Sequence, residues 1–424
     1  MSKFSSKEVL KFLPLFIFYV LLVGLLNDPH TKGDENRYLG FANNLLKGYY
    51  AVPGMKVGFL WNGPGYPIIL TPFEYFHLPL IFPRLLNVGF LIAGVIYLYK
   101  SLLFYIDERK SFIISILCGL THPYVIFAVS SVLTEGFSFF LISAALYYFL
   151  RFYKQDKWSY KITGAALLGY LVLTKVFFFY VLLLCLCILV LAWLGTKFKF
   201  GFRYGQLRFI KLISYALVIC IPYLIYTYSI TGKMFYLADS GGSSLYCMST
   251  PYDSEYGDWF PNKLSNSPEN ETITTTPKEN TLYKNHSKFL DSIANFNGLQ
   301  QDEILKSKAI ANIKHHKVKY FKNIIYNFGR LGFRYPFTNR EVKPIFLIVN
   351  IIQFAAVFFP FILLLIIACF KKIEKELYYP IVFLIVYIGG TLLVSTESRF
   401  IFPVYPIVFF LIGSILIKRS KFIT

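Results

Sequence analysis

Ionised side chains are costly inside apolar sequence, so the few that interrupt it in this chain are the first places to look for chemistry. Asp34 and Glu35 open the stretch Gly33-Asp34-Glu35-Asn36-Arg37-Tyr38, which continues as Phe41-Ala42-Asn43-Asn44-Leu45-Leu46-Lys47-Gly48. Tyr38, Phe41, Ala42, Leu45 and Leu46 recur at three and four residues, which predicts a short amphipathic helix with Gly48 as its C-cap. A carboxylate at a helix N-terminus is favoured by the free backbone N–H groups there, so Asp34 can act as a cap. The same carboxylate at an interface can take a proton from an acceptor hydroxyl. Both roles can hold together, although capping lowers basicity. A divalent cation on Asp34 and Glu35 is a third use of the pair, but no cluster has ligand spacing that names a metal.

Other charged residues sit at the ends of apolar runs. Pro83-Arg84 opens one run, Ser131 and Thr134-Glu135 another, and Lys175 separates two more. Glu397-Ser398-Arg399-Phe400 opens the last, with Pro403 and Pro406 inside it. Two readings fit these groups. Lys175 or Arg399 can pair with Glu135 or Glu397 for structure alone, or the cations can hold a phosphate ester while the carboxylates orient them. Trp61-Asn62-Gly63-Pro64-Gly65-Tyr66-Pro67 reads as a tight interfacial turn leading into a helix. His122, at the outer end of an apolar run, reads as a packed histidine. Cys118, Cys185, Cys187, Cys220 and Cys369 lie in or beside apolar sequence and read as small hydrophobes.

Such groups need elements to position them, and composition says what kind. Of 424 residues 56% are hydrophobic and 16% charged, against about 25% charged in an average soluble domain. That excludes a soluble globular enzyme. Apolar runs long enough to cross about 30 Å of hydrocarbon lie near 12–26, 80–100, 111–129, 132–150, 161–176, 178–195, 209–230, 342–370, 378–395 and 399–417. The first reads as a retained helix rather than a cleaved signal, since no small-x-small site follows it. The net charge of +20 gathers in linkers such as Lys100/Arg109/Lys110, Arg151/Lys154/Lys157/Lys161, Lys371/Lys372/Lys375 and Lys418/Arg419/Lys421. That distribution records orientation, not nucleic-acid binding, and predicts cytoplasmic N and C termini.

The expectation is an all-α polytopic membrane protein of about ten transmembrane helices, with short amphipathic juxtamembrane helices in an extracytoplasmic first loop. Its parts are an N-terminal transmembrane module over 1–230 with first loop 27–79, an extracytoplasmic loop over 231–341, and C-terminal transmembrane helices over 342–424. Within the second loop, 300–330 reads as an interfacial helix. Ile313, Tyr320, Phe321, Ile324, Ile325 and Phe328 lie on one side and Lys314, Lys317, Lys319 and Lys322 on the other. Residue types alone leave enzyme and transporter both open. A transporter or flippase for a lipid-linked glycan is the alternative, though transporters place ionisable groups along a mid-membrane path.

Taken together, the motifs resemble those of the membrane glycosyltransferases with the C-type fold, the group that includes protein O-mannosyltransferases and lipid A aminoarabinose transferases. Gly33-Asp34-Glu35-Asn36-Arg37-Tyr38 resembles the first-loop Asp-Glu motif, and Asn62-Gly63-Pro64-Gly65-Tyr66-Pro67 its proline-rich turn. Pro83-Arg84-Leu85-Leu86-Asn87, Thr134-Glu135, the run from Gly169 to Lys175, and Glu397-Ser398-Arg399-Phe400 are similar to the family's later motifs. The likeness covers about residues 10–180 strongly and 300–416 loosely. It implies a polyprenyl-phosphate-linked monosaccharide as donor, an extracytoplasmic hydroxyl on a glycan, lipid or protein as acceptor, and inversion at the anomeric carbon. Asp34, with Glu35 beside it, takes the place of the catalytic carboxylate. Lys175, Arg84 and Arg399 become the phosphate-binding candidates, with Tyr38, Tyr66, Glu135 and Glu397 in supporting roles. The outer loop of about 110 residues and the lack of a globular domain after the last span depart from larger members. They point to a small bacterial member of the inner or plasma membrane.

Overall fold

The computed structural model describes residues 6–195, 200–260, 277–333, 337–339 and 373–416, with isolated positions between 348 and 366. Among the described residues every regular element is helical. The chain begins with α1 (Ser6–Leu10) and α2 (Leu13–Leu26), and its first loop carries α3 (Asp34–Leu46) and α4 (Gly65–Tyr75). A bundle follows, made of α5 (Ile81–Leu102), α6 (Glu108–Thr121), α7 (Val125–Ser130), α8 (Thr134–Gln155), α9 (Trp158–Thr174), α10 (Phe177–Gly195), α11 (Phe200–Ile219) and α12 (Ile221–Thr231). The second loop holds α13 (Gly241–Met248), α14 (Pro277–Ile293), α15 (Gly298–His315) and α16 (Lys317–Phe333). A 3-10 turn, Lys375–Leu377, leads into α17 (Tyr378–Leu392), and a second, Ser398–Val404, into α18 (Tyr405–Leu416).

Five of these helical runs are long and apolar enough to span a membrane, namely Ile81–Leu102, Thr134–Gln155, Phe177–Gly195, Lys375–Leu392 and Ser398–Ile415. Counting α11 and α12 as one span bent by 43° makes six. The described helices thus support fewer full spans than the expected ten, and 342–370 lies largely outside the described residues. Two differences have local causes. Pro123 breaks the run expected over 111–129, because a residue before proline avoids the helical region and His122 is extended (φ −79°, ψ 119°). The first apolar helix, α2, has 14 residues and a length of about 21 Å at 1.5 Å per residue, short of the hydrocarbon thickness. In the bundle, α5 packs on α8, α8 on α9, α9 on α11 and α10 on α17.

The predicted helix over 300–330 is two helices, parted at His316, where the backbone leaves the helical region (φ −125°, ψ 50°). In α16 the faces are inverted relative to a soluble helix. Val318, Phe321, Ile325 and Phe328 are exposed, while Asn323, Asn327 and Arg330 are buried. Lys319 is buried too, against its expected place on the basic face, because its ammonium donates to Glu255 O at 2.6 Å. Asn327 Nδ2 donates to Leu392 O at 3.1 Å and to Val394 O, and Arg330 donates to Thr396 O at 3.4 Å. The buried stripe therefore supplies donors to the loop that precedes Glu397 and Arg399.

The Gly63-Pro64-Gly65 turn is shaped by close approach to the end of α9. A Cβ on Gly63 would lie 2.1 Å from Leu173 O, and one on Gly65 2.7 Å from Thr174 Oγ1. Tyr170 OH donates to Gly65 O at 2.9 Å. The turn thus braces the backbone that runs directly into Lys175, which interrupts the helices with an extended conformation (φ −130°, ψ 97°). Gly63→Ala should force these segments apart and cost about 1–3 kcal/mol, as overpacking does. Thermal unfolding of the purified protein checks this: a melting temperature equal to wild type would mean that the approach is not a constraint.

Candidate active site

The site is built on two side chains of α5. Arg84 and Asn87 are three residues apart, hence on one face, and both are buried. Arg84 donates to Asn27 Oδ1 at 2.8 Å and to Asp28 O at 2.5 Å, and reaches Glu35 Oε1 at 3.3 Å. Glu35 also accepts from Val132 N at 2.7 Å and from Lys32 N at 2.8 Å. Asn87 accepts from Tyr66 OH at 3.0 Å and donates to Ser131 O at 2.8 Å. In the extended linker between α7 and α8, Ser131 N–H still bonds to α7, and these side chains satisfy Ser131 O and Val132 N. They thereby set where α8 starts and where Glu135 points. Tyr38 packs edge-on to Tyr66 at 5.5 Å, with its hydroxyl 3.4 Å from Thr134 Oγ1.

Beside this scaffold lies a cavity of about 560 Å³. Asp34, Arg37, Tyr38, Glu135, Lys175, Glu397 and Arg399 line one part of it. The ion pairs interlock. Asp34 Oδ1 accepts from Arg37 at 2.7 Å, and its Oδ2 lies 2.9 Å from Arg399 Nη2. Arg399 Nε is 3.0 Å from Glu397 Oε2 and 4.0 Å from Glu135 Oε1, and Lys175 Nζ is 3.0 Å from that same Glu135 oxygen. Burial opposes ionisation of Asp34, but the guanidiniums of Arg399 and Arg37 outweigh it and hold its carboxyl below the ordinary range. Asp34 is therefore ionised at neutral pH.

Asp34, Glu135, Lys175, Glu397 and Arg399, from four separate stretches of chain, thus meet in one place. Asp34 is not the cap that its position suggests. Gly33 is the N-cap residue, no side chain caps the helix, and both Asp34 oxygens face guanidiniums. Glu35, Arg84 and Tyr66 do not line the cavity. They hold the scaffold, where removing one partner of a buried ion pair costs on the order of 3–5 kcal/mol. Asp34 and Glu35 diverge to different partners and do not converge on a cation, and among the described residues no group of three or more His, Cys, Asp or Glu could hold a metal. His122 is buried between Phe402 and Tyr405, each ring 5.1 Å away.

The other part of the cavity was not visible in the sequence. Trp61, Lys233, Tyr236, Trp259, Asp302 and Lys306 line it. Asp302 and Lys306 are spaced like an ordinary surface pair on a helix, and Trp259 follows irregular chain, so neither carried a signal. Next to this region Asp239 is buried, and one of its carboxylate oxygens has no hydrogen-bond partner among the described residues. Burial, with Asp302 nearby, pushes its pKa up to about 7. Between its ordinary value, about 3.9, and about 7 the folded state holds a proton that the unfolded state has lost, so stability falls as pH rises through this window. Asp239→Asn should match wild-type melting at about pH 3, below the ordinary carboxyl value, and exceed it by a margin that grows from about pH 5 to pH 8. Parallel melting curves across that range would show that Asp239 does not titrate there.

No protein-family model matches the sequence, and no match is found among curated proteins. Among solved structures, the archaeal oligosaccharyltransferase AglB from Archaeoglobus fulgidus, in complex with an inhibitory peptide and a dolichol-phosphate, aligns with a TM-score of 0.52. The alignment has 13% identity and covers 95% of this chain and 50% of that one. ArnT from Cupriavidus metallidurans, bound to undecaprenyl phosphate, aligns with a TM-score of 0.43 at 13% identity, covering 95% of this chain and 77% of that one. This chain thus spans about half the length of AglB. At such identity the likeness shows architecture alone, and on it this is a multi-pass helical membrane protein with a fold similar to that of AglB over the aligned residues.

Proposed function

We propose that this chain is an inverting glycosyltransferase that moves a monosaccharide from a polyprenyl-phosphate donor to an extracytoplasmic hydroxyl. The observation that supports this most is the meeting of an ionised carboxylate, Asp34, with Lys175 and Arg399 in one cavity. The acceptor O–H bond breaks as Asp34 takes the proton, and the oxygen attacks the anomeric carbon from the face opposite the phosphate. The bond from that carbon to the phosphate oxygen then breaks, and polyprenyl phosphate leaves with the electron pair. Lys175 and Arg399 stabilise the charge that develops on the departing phosphate, the step at which fixed cations help most.

The ion pairs give this scheme an internal logic. Lys175 is engaged by Glu135, and Arg399 by Asp34 and Glu397. A phosphate entering the cavity competes for both cations. As Arg399 turns toward it, Asp34 loses a stabilising neighbour and becomes a better proton acceptor. Glu135 and Glu397 orient the cations, Arg37 retains its hold on Asp34, and Glu35 and Arg84 fix the loop that carries them. The cavity-lining ring of Phe400, 5.6 Å from Lys175 Nζ, helps exclude water from the pair.

Asp34→Asn should keep expression and donor binding close to wild type while nearly abolishing sugar transfer. Wild-type turnover by the purified variant would remove Asp34 as the base. Lys175→Ala should weaken binding of polyprenyl phosphate, and an unchanged affinity would remove Lys175 from the phosphate site. The proposed topology puts the second loop outside. Thr250 is buried, but Ser254 is exposed. Ser254→Cys should therefore react with a membrane-impermeant maleimide in intact cells, whereas labelling only after permeabilisation would reverse the topology.

A further inference from the structure

The part of the cavity remote from Asp34 has a chemistry of its own. Trp61, from the first loop, and Trp259, from the second, bring their rings to 6.3 Å at 46°. Arg37 lies over the Trp61 ring at 4.9 Å, which fixes that indole between the two parts of the cavity. Both tryptophans are half-buried cavity-lining residues, and among the described residues neither indole N–H has a hydrogen-bond partner. Asp302 lies on the same wall. It accepts from Tyr236 OH at 3.0 Å and from Gly242 N at 2.5 Å, one bond on each oxygen. An ionised carboxylate offers about four acceptor sites, so each oxygen keeps capacity for another donor. Lys306, one turn along α15, lines the cavity without an ion-pair partner within 4 Å among the described residues.

We propose that this outer chamber binds the acceptor and that the acceptor is a carbohydrate, an inference that rests on the transferase reading. A sugar ring has an apolar C–H face that covers an indole and a rim of hydroxyls that both donate and accept. Such a rim meets what the chamber leaves open: carboxylate acceptors on Asp302, an ammonium on Lys306 and two indole N–H donors. One way to hold an extended peptide, pairing with an open strand edge, is absent among the described residues. A purely aliphatic chain would leave these polar groups desolvated and unpaired, which is unfavourable.

The test uses the full chain in lipid nanodiscs, overlaid on an array of purified oligosaccharides with serine- and threonine-rich peptides printed beside them. Retention on a subset of the oligosaccharides is expected. Trp259→Ala should lower it about ten-fold, the scale of one lost aromatic contact, while Trp259→Phe keeps most of it. Should Trp259→Ala melt below wild type, Lys306→Ala reads the same wall, and its expected effect is weaker retention of the same oligosaccharides. No retention above that of empty discs, retention on peptides alone, or retention that neither Trp259→Ala nor Lys306→Ala lowers would overturn the proposal. Polyprenyl phosphate binding is measured on the same discs. Lys175-dependent binding of that lipid without glycan retention would sink the acceptor assignment and leave the transferase reading standing. Glycan retention without lipid binding would leave a carbohydrate chamber and remove the transferase.

Discussion

Charge balance around Asp34 is the constraint on which the rest of the structure depends. Asp34, Glu135 and Glu397 face Arg37, Lys175 and Arg399 in a cavity between the bundle and the two loops. Removing water from any of these groups singly would be prohibitive. Together they are tolerable, because each charge lies within ion-pair distance of an opposite one. The arrangement joins four parts of the chain that share no sequence neighbourhood. The first loop, the starts of α8 and α10, and the segment before α18 stay together partly because their charges have nowhere else to go. The charges that line this cavity also hold it in place, so a change at one of them reaches the local structure.

Around the charges stands a frame of neutral and charge-assisted hydrogen bonds. Asn87 and Arg84 reach from α5 to the first loop and to the linker before α8. Glu35 closes the frame by accepting from Val132 N. The frame explains why a membrane protein keeps a buried guanidinium and a buried amide where leucines would pack as well. Irregular backbone at this depth needs donors and acceptors that helices cannot lend it. Residues one position apart can thus serve different ends: Asp34 turns to the cavity while Glu35 turns to the frame.

Much of this was legible in the sequence, and the reason is physical. Glu135, Lys175 and Arg399 each sit beside apolar sequence at a run's end, where a charge is hard to explain away, and Asp34 opens a short amphipathic helix. The Gly-Pro-Gly turn was visible as a turn, but its contact with Leu173 was not, since that depends on two segments meeting in space. Arg84 read as a phosphate ligand because its place in the order of motifs was right, yet side-chain direction on α5 sends it to Glu35. Trp259, Asp302 and Lys306 were silent because loop and surface-helix residues of these types are ordinary anywhere. The division of 300–330 at His316 was silent too, since hydrophobic periodicity runs across the break.

The inverted helix α16 carries a practical corollary. Its outward ridge of Val318, Phe321, Ile325 and Phe328 suits an oily surrounding, and its inward amide and guanidinium groups grip the strap just ahead of Arg399. Whatever medium wets that ridge therefore helps set the tension on the strap. Choice of surfactant, acyl-chain length and lateral pressure thus bears on the geometry of this strap as buffer and temperature do.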